Sequence, residues 1–168
     1  KQVEAGKKRF VGHELRGSTL GIVGLGAIGS LLAEAAIQLG MNVVGYDPEI
    51  TVEAAWRLPS QVRRASNIDD LIKRADFISL HVPLLPATRD LINAERIKSM
   101  KKGAVLLNFS REGIVNDAAA LDGLNEGRLH AYVCDFPSNL LRPHPNFVSL
   151  PHLGASTEEA EENCAVMV

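Results

Sequence analysis

The stretch Gly21-Ile22-Val23-Gly24-Leu25-Gly26-Ala27-Ile28-Gly29 ends an apolar run in spaced glycines, and Asp47 closes the apolar run that follows. Glycines in that pattern let a backbone approach a diphosphate and aim N–H groups at its oxygens. Gly24 suits the tight turn, Gly26 the close approach, and Gly29 the packing of a following helix on its strand. Asp47 lies 23 residues past Gly24, near the ~20 expected of an acid that bonds the ribose hydroxyls of an adenine dinucleotide. A carboxylate there repels a 2′-phosphate, and no basic residue follows it before Arg57, so NAD is expected rather than NADP.

Other polar residues that can do chemistry also stand directly after apolar runs: His81, Ser110-Arg111, Asp135 and His152. Ligands of open parallel sheets bind outside the carboxyl ends of the strands. One rim lined by all of these groups explains them more simply than a separate cap, turn or surface charge for each. His13, His130 and His144 follow no such pattern and read as surface or loop residues.

The elements that must hold this rim alternate between strand and helix, which means parallel βαβ units. Five or six short apolar runs carry this alternation, and strands are placed at 19–24, 42–46, 61–64 (brief), 77–81, 104–109, 130–135 and 147–150. Helices are expected at 52–57, 68–74, 93–100 and 117–126. The helix after the glycine turn carries Leu31, Leu32, Ala35, Ala36 and Leu39 as its apolar stripe and ends at Gly40. Residues 83–90 and 137–145 are loops. A last helix opens at Ser156 or Thr157, with Glu158, Glu159 and Glu161 favouring its start. The fold class is α/β, a three-layer, Rossmann-type, doubly wound parallel sheet.

A chain of 168 residues with few aromatics suits one such domain. A net charge of −2 argues against nucleic acid or an acidic membrane as partner. No apolar run approaches the ~20 residues of a membrane span. Lys1, Lys7, Lys8 and Arg9 flank no apolar core, so the start is not a signal peptide. Cys134 and Cys164 have no metal-ligand spacing and read as free thiols in a reducing, cytoplasmic compartment; no metal site is expected. The chain opens without Met and ends in a helical pattern, so a single domain excised from a longer protein is expected.

This constellation closely resembles the NAD-binding domain of the D-isomer-specific 2-hydroxyacid dehydrogenases, over nearly the whole chain. The lead-in Phe10-Val11-Gly12-His13-Glu14-Leu15-Arg16-Gly17, the loop His81-Val82-Pro83, the run Asn108-Phe109-Ser110-Arg111 and the run Pro151-His152-Leu153-Gly154-Ala155-Ser156-Thr157 carry it. Ser156-Thr157 followed by Glu158, Glu159, Ala160 and Asn163 leans toward the branch acting on a phosphorylated acid.

The resemblance implies that Arg111 grips a substrate carboxylate, for which its fork of donors is suited. It makes His152 the general acid/base, since imidazole exchanges protons near neutral pH. It also implies cofactor contacts from Gly24, Gly26, Ala27, Ile28, Gly29, Asp47, His81, Val82, Pro83, Phe109, Ser110, Asp135 and Gly154, with Asp135 near the nicotinamide carboxamide. A small 2-hydroxy acid as substrate, a substrate domain built from flanking chain, and a homodimer with the N-terminal segment and terminal helix near its interface follow by the same resemblance. The fragment alone is then expected to bind NAD and turn over poorly. Glu112 stands where the family usually has Gly, a turn that Gly113 can serve.

The largest departure is an absence. The family sets a Glu-Pro pair shortly after the aspartate, and that glutamate holds the histidine. Here the run is Asp135-Phe136-Pro137-Ser138-Asn139-Leu140-Leu141, with no acid before Glu158. Either Asp117 or Glu158 substitutes, or the histidine works alone, or the site is inactive. Another member of the family, acting on glyoxylate, hydroxypyruvate or D-lactate, a non-catalytic, NAD-sensing interaction module and a plain structural domain are the rival readings.

Overall fold

The computed structural model describes residues 11–136, 138–154, 156–160 and 162. Within them the order is β1 (Thr19–Val23), α1 (Ala27–Gln38), β2 (Asn42–Tyr46), α2 (Val52–Arg57), β3 (Arg63–Arg64), α3 (Ile68–Arg74), β4 (Phe77–Leu80), α4 (Ala94–Ser99), β5 (Ala104–Asn108), α5 (Asp117–Asn125), β6 (Leu129–Cys134) and β7 (Phe147–Ser149). The strands form one sheet in the order β3-β2-β1-β4-β5-β6-β7, and every neighbouring pair is parallel. This is the doubly wound α/β arrangement, and its strand order reverses between β1 and β4. All seven strands placed from the sequence are present, β3 with two residues and β7 with three.

Register sets the site. Tyr46, Val23, Leu80, Asn108, Cys134 and Ser149 are successive partners across six strands. The residues that follow each of them therefore leave the sheet side by side at its carboxyl edge. They are Asp47, Gly24, His81, Phe109, Asp135 and Leu150.

Alternation along the strands divides the core between two faces. Leu20, Ile22 and Val43 pack with Ala33 and Ala36 of α1. Val23, Val44, Ile78, Leu80 and Leu106 pack with α3, α4 and α5 through Leu71, Ile72, Ile97, Ala120 and Leu124. Leu141, in the irregular loop, is fully buried in that second cluster.

One expected stripe is corrected. On α1 the sheet side is Gly29, Ala33 and Ala36, with Leu32 and Ile37 half-buried, whereas Leu31 and Leu39 are 66% and 58% exposed and Ala35 is exposed too. The small residues let α1 lie close to the strands, and the larger leucines point away.

The helix starts are sharply specified. Thr51, Asn67, Asn93 and Asn116 each accept the amide of the residue three places on, which satisfies an otherwise orphan donor. Thr157 accepts from Ala160 in the same way, so it opens the final helical turn. Cys164 lies outside the described residues, as do Phe10, Pro137, Ala155, Glu161 and Asn163.

Candidate active site

α1 is the exception among these helices. Its N-cap is Gly26, with no side-chain bond to the first turn and no acid in that turn. The amides of Ala27 and Ile28 thus present the positive end of a 12-residue helix without an internal partner. Gly24 has φ +94°, and a Cβ there would lie 2.8 Å from the His81 carbonyl; a Cβ on Gly29 would run into the Gly24 carbonyl. A Cβ on Gly26 would meet nothing within 4 Å. The packing glycines are locked between strand and helix, while Gly26 faces the open space a diphosphate requires. The residues present therefore fit the phosphates of a dinucleotide.

Asp47 is tied directly to this turn. Its Oδ2 accepts the Leu25 amide at 2.8 Å and its Oδ1 the Glu49 amide at 3.0 Å. Beside it is a slot of about 130 Å³ with apolar walls from Leu25, Ile50, Leu58 and Val62, suited to an adenine ring. Arg64 also lines this slot, and the linear sequence did not single it out. Edge strand β3, pairing Arg64 with Gly45, brings the cation beside Asp47. Larger clefts of about 440 and 390 Å³ are lined by Asn42 and Arg63 near the amino ends of the strands. They hold none of the site residues, so size alone does not mark the site.

Across the switch point, the His81 amide donates to Val23 at 2.7 Å, and its Nε2 lies 2.9 Å from the Ser79 hydroxyl. Burial holds the His81 imidazole below the usual histidine range, as expected for a framing group that stays neutral. Val82 is half-buried and Pro83 exposed. The Val82 carbonyl accepts the Ser110 hydroxyl, tying the β4 and β5 loops together.

Asn108 is the second residue that went unassigned. Its side chain is 1% exposed; its Oδ1 accepts the Ser110 amide at 3.2 Å and its Nδ2 donates to the Arg111 carbonyl at 3.0 Å. It therefore shapes the loop that carries Arg111. The Arg111 guanidinium is exposed and donates to the Ser110 carbonyl at 2.7 Å. Gly113, at φ +81°, makes the left-handed turn beside Glu112. Ile28 and Phe109 expose apolar surface, 70% and 42%, at the same edge.

At the far end of the rim, Asp135 is buried and His152 half exposed. Asp135 Oδ2 lies 3.2 Å from His152 Nδ1. Phe136 packs against the imidazole with ring centroids 5.0 Å apart. Among the described residues, Asp135 Oδ1 is buried with no hydrogen-bond partner. Among the described residues neither Asp117 nor Glu158 forms an ion pair with His152. Gly154 is exposed, two residues beyond the histidine, with open space around it.

The family model for the D-isomer specific 2-hydroxyacid dehydrogenase, NAD binding domain, matches residues 1–154, and the chain belongs to that family. It is 42% identical, over its whole length, to a D-3-phosphoglycerate dehydrogenase of Methanocaldococcus jannaschii, and 40% identical to that of Bacillus subtilis. It spans 33% of each of those relatives. Among solved structures, the NAD complexed form of a D-isomer specific 2-hydroxyacid dehydrogenase from Lactobacillus delbrueckii ssp. bulgaricus superposes with TM-score 0.82 at 27% identity, covering 95% of this chain and 53% of that one. The D-mandelate dehydrogenase of Rhodotorula graminis gives TM-score 0.84 at 29% identity, covering 98% and 49%. The fold and the cofactor class thus stand as the residues indicated.

Proposed function

We propose that this domain serves an NAD-dependent oxidoreductase acting on the CH–OH group of a D-2-hydroxy acid, with 3-phosphoglycerate oxidised to 3-phosphohydroxypyruvate on the route to serine. The observation that carries this reading is the single sheet edge that gathers the uncapped glycine turn, Asp47, Arg111 and the Asp135–His152 pair. The name shared by the curated relatives supports the choice of substrate.

When bound, the nicotinamide supplies hydride-transfer chemistry. The chain supplies the rest. The α1 amides and Asp47 hold the dinucleotide, and the apolar slot beside Asp47 takes the adenine. Arg111 meets the substrate carboxylate with paired donors. His152 takes the proton of the C2 hydroxyl. The remainder of the substrate pocket comes from flanking chain in the complete polypeptide.

The protein acts as a homodimer in a reducing, cytoplasmic compartment. Supporting the dimer is the row Leu31, Ala35 and Leu39 exposed along α1, since apolar surface of that kind commonly marks contact with another protein. Among the described residues no helix is long and apolar enough to cross a membrane.

The test is an assay of the complete polypeptide with 3-phosphoglycerate and NAD, beside a panel of glyoxylate, hydroxypyruvate and D-lactate. Turnover confined to other acids would replace the substrate but keep the class. Full cellular function in an Arg111→Ala, His152→Ala double variant would favour the sensing module instead.

A further inference from the structure

We propose that Asp135 takes over the role of the missing glutamate and fixes the proton of His152 on Nδ1. This rests on the dehydrogenase reading above, but it assigns Asp135 a task that the resemblance gave to another residue. The sequence offered Asp117 and Glu158 as substitutes; the fold presents a different carboxylate.

Strand register creates the pair. Cys134 and Ser149 are partners on β6 and β7, and the Leu150 amide donates to the Cys134 carbonyl at 2.8 Å. The ladder thus runs one residue past β7 before the chain turns at Pro151. That sends His152 along the side of β6 from which Asp135 emerges, and leaves Nδ1 3.2 Å from Oδ2. Phe136 sits against the ring from the next position.

Burial gives the pairing its force. The Asp135 side chain is 10% exposed and that of His152 53%. A buried carboxylate is costly unless donors reach it. Among the described residues Asp135 Oδ1 has none, and Oδ2 has the imidazole Nδ1 at 3.2 Å. With the proton held on Nδ1, the lone pair is on Nε2, which can then accept a substrate hydroxyl proton. The imidazolium so formed lies against the carboxylate. Catalytic pairs of this kind commonly tighten only in the assembled complex.

Asp135 is a positioning residue, and its test reads the tautomer. Nitrogen-15 NMR of the neutral His152 ring in this chain, assigned by comparison with His152→Gln, should show Nδ1–H as the major form. Asp135→Asn, whose amide can donate to Nδ1, should reverse the major form to Nε2–H. In the complete polypeptide, Asp135→Asn should lose about 10²-fold or more in kcat. The Asp135→Asn, His152→Gln double variant should be no slower, within about twofold, than His152→Gln alone, because the two residues act as one unit.

Nε2–H as the major form in the wild-type chain overturns the proposal, and that measurement stands even if Asp135→Asn does not fold. An unchanged tautomer in Asp135→Asn, or additive kinetic losses, overturns it as well. Fluorescence titration of the wild-type chain with NADH separates the two failures. No NADH binding with Nδ1–H intact sinks the dehydrogenase reading alone; NADH binding with Nε2–H sinks the pairing alone.

Discussion

The carboxylate of Asp47, at the end of β2, accepts the backbone amide of Leu25 inside the glycine turn at the end of β1, at 2.8 Å. One side chain therefore shapes the diphosphate turn and borders the adenosine slot. Removing it damages both.

Asp47→Ala should weaken NADH binding by about tenfold or more and cost about 1 kcal/mol of stability, the usual net worth of such a bond. It should also narrow the preference for NADH over NADPH, because Arg64 lines the same slot and guanidinium pairs well with phosphate. Adding Arg64→Ala should cancel the gain toward NADPH. Competitive fluorescence titration of the single and double variants checks both points.

The glycines should separate by role. Gly29→Ala puts a methyl against the Gly24 carbonyl and should lower the urea midpoint by the equivalent of about 1–3 kcal/mol. Gly26 has φ −68° and open space around it, so Gly26→Ala should change stability by less than about 1 kcal/mol. Its methyl stands where the diphosphate must approach, however, so NADH affinity should fall about tenfold or more. Equal stability losses from the two variants would contradict this geometry of the turn.

Stability should depend on pH through His81. Its folded imidazole is held below the ordinary value of 6.5 by burial, so between the folded value and 6.5 the unfolded chain binds more protons. Stability then rises with pH across that window, and it is lost as pH falls from about 6.5 through the folded value. His81→Asn should shrink the fall in urea midpoint between pH 7 and pH 5. A variant that loses as much as the wild type would count against a buried neutral His81.

Asn108→Ala leaves the Ser110 amide and Arg111 carbonyl without their buried partner. About 1–3 kcal/mol of stability should go. Substrate KM in the complete polypeptide should rise and NADH affinity should fall as well, since Asn108 shapes the loop that carries Ser110 and Arg111. Stopped-flow binding and steady-state assays separate the two effects.

Much of this site was legible in the residues because it is local. The glycine turn, the acid closing the next strand, and the polar residues after each apolar run are read within short windows. A parallel sheet in register then brings them together. Two features needed the fold. Arg64 reaches the adenosine slot only because a two-residue edge strand pairs with β2. Asp135 meets His152 only because β6 and β7 are neighbours, and no local pattern encodes that.

The α1 stripe was misread for a related reason. Apolar residues occur all round this helix, so periodicity could not say that small Ala33 and Ala36 face the strands while Leu31 and the C-cap Leu39 point outward.

Binding of an adenine dinucleotide in the crevice between β1 and β4 underlies every role assigned above. Calorimetric titration of this chain with NADH tests it most directly. The expected result is saturable binding of one NADH per chain, weakened at least tenfold by Gly26→Ala. No binding to a chain whose circular dichroism shows the fold intact would contradict it.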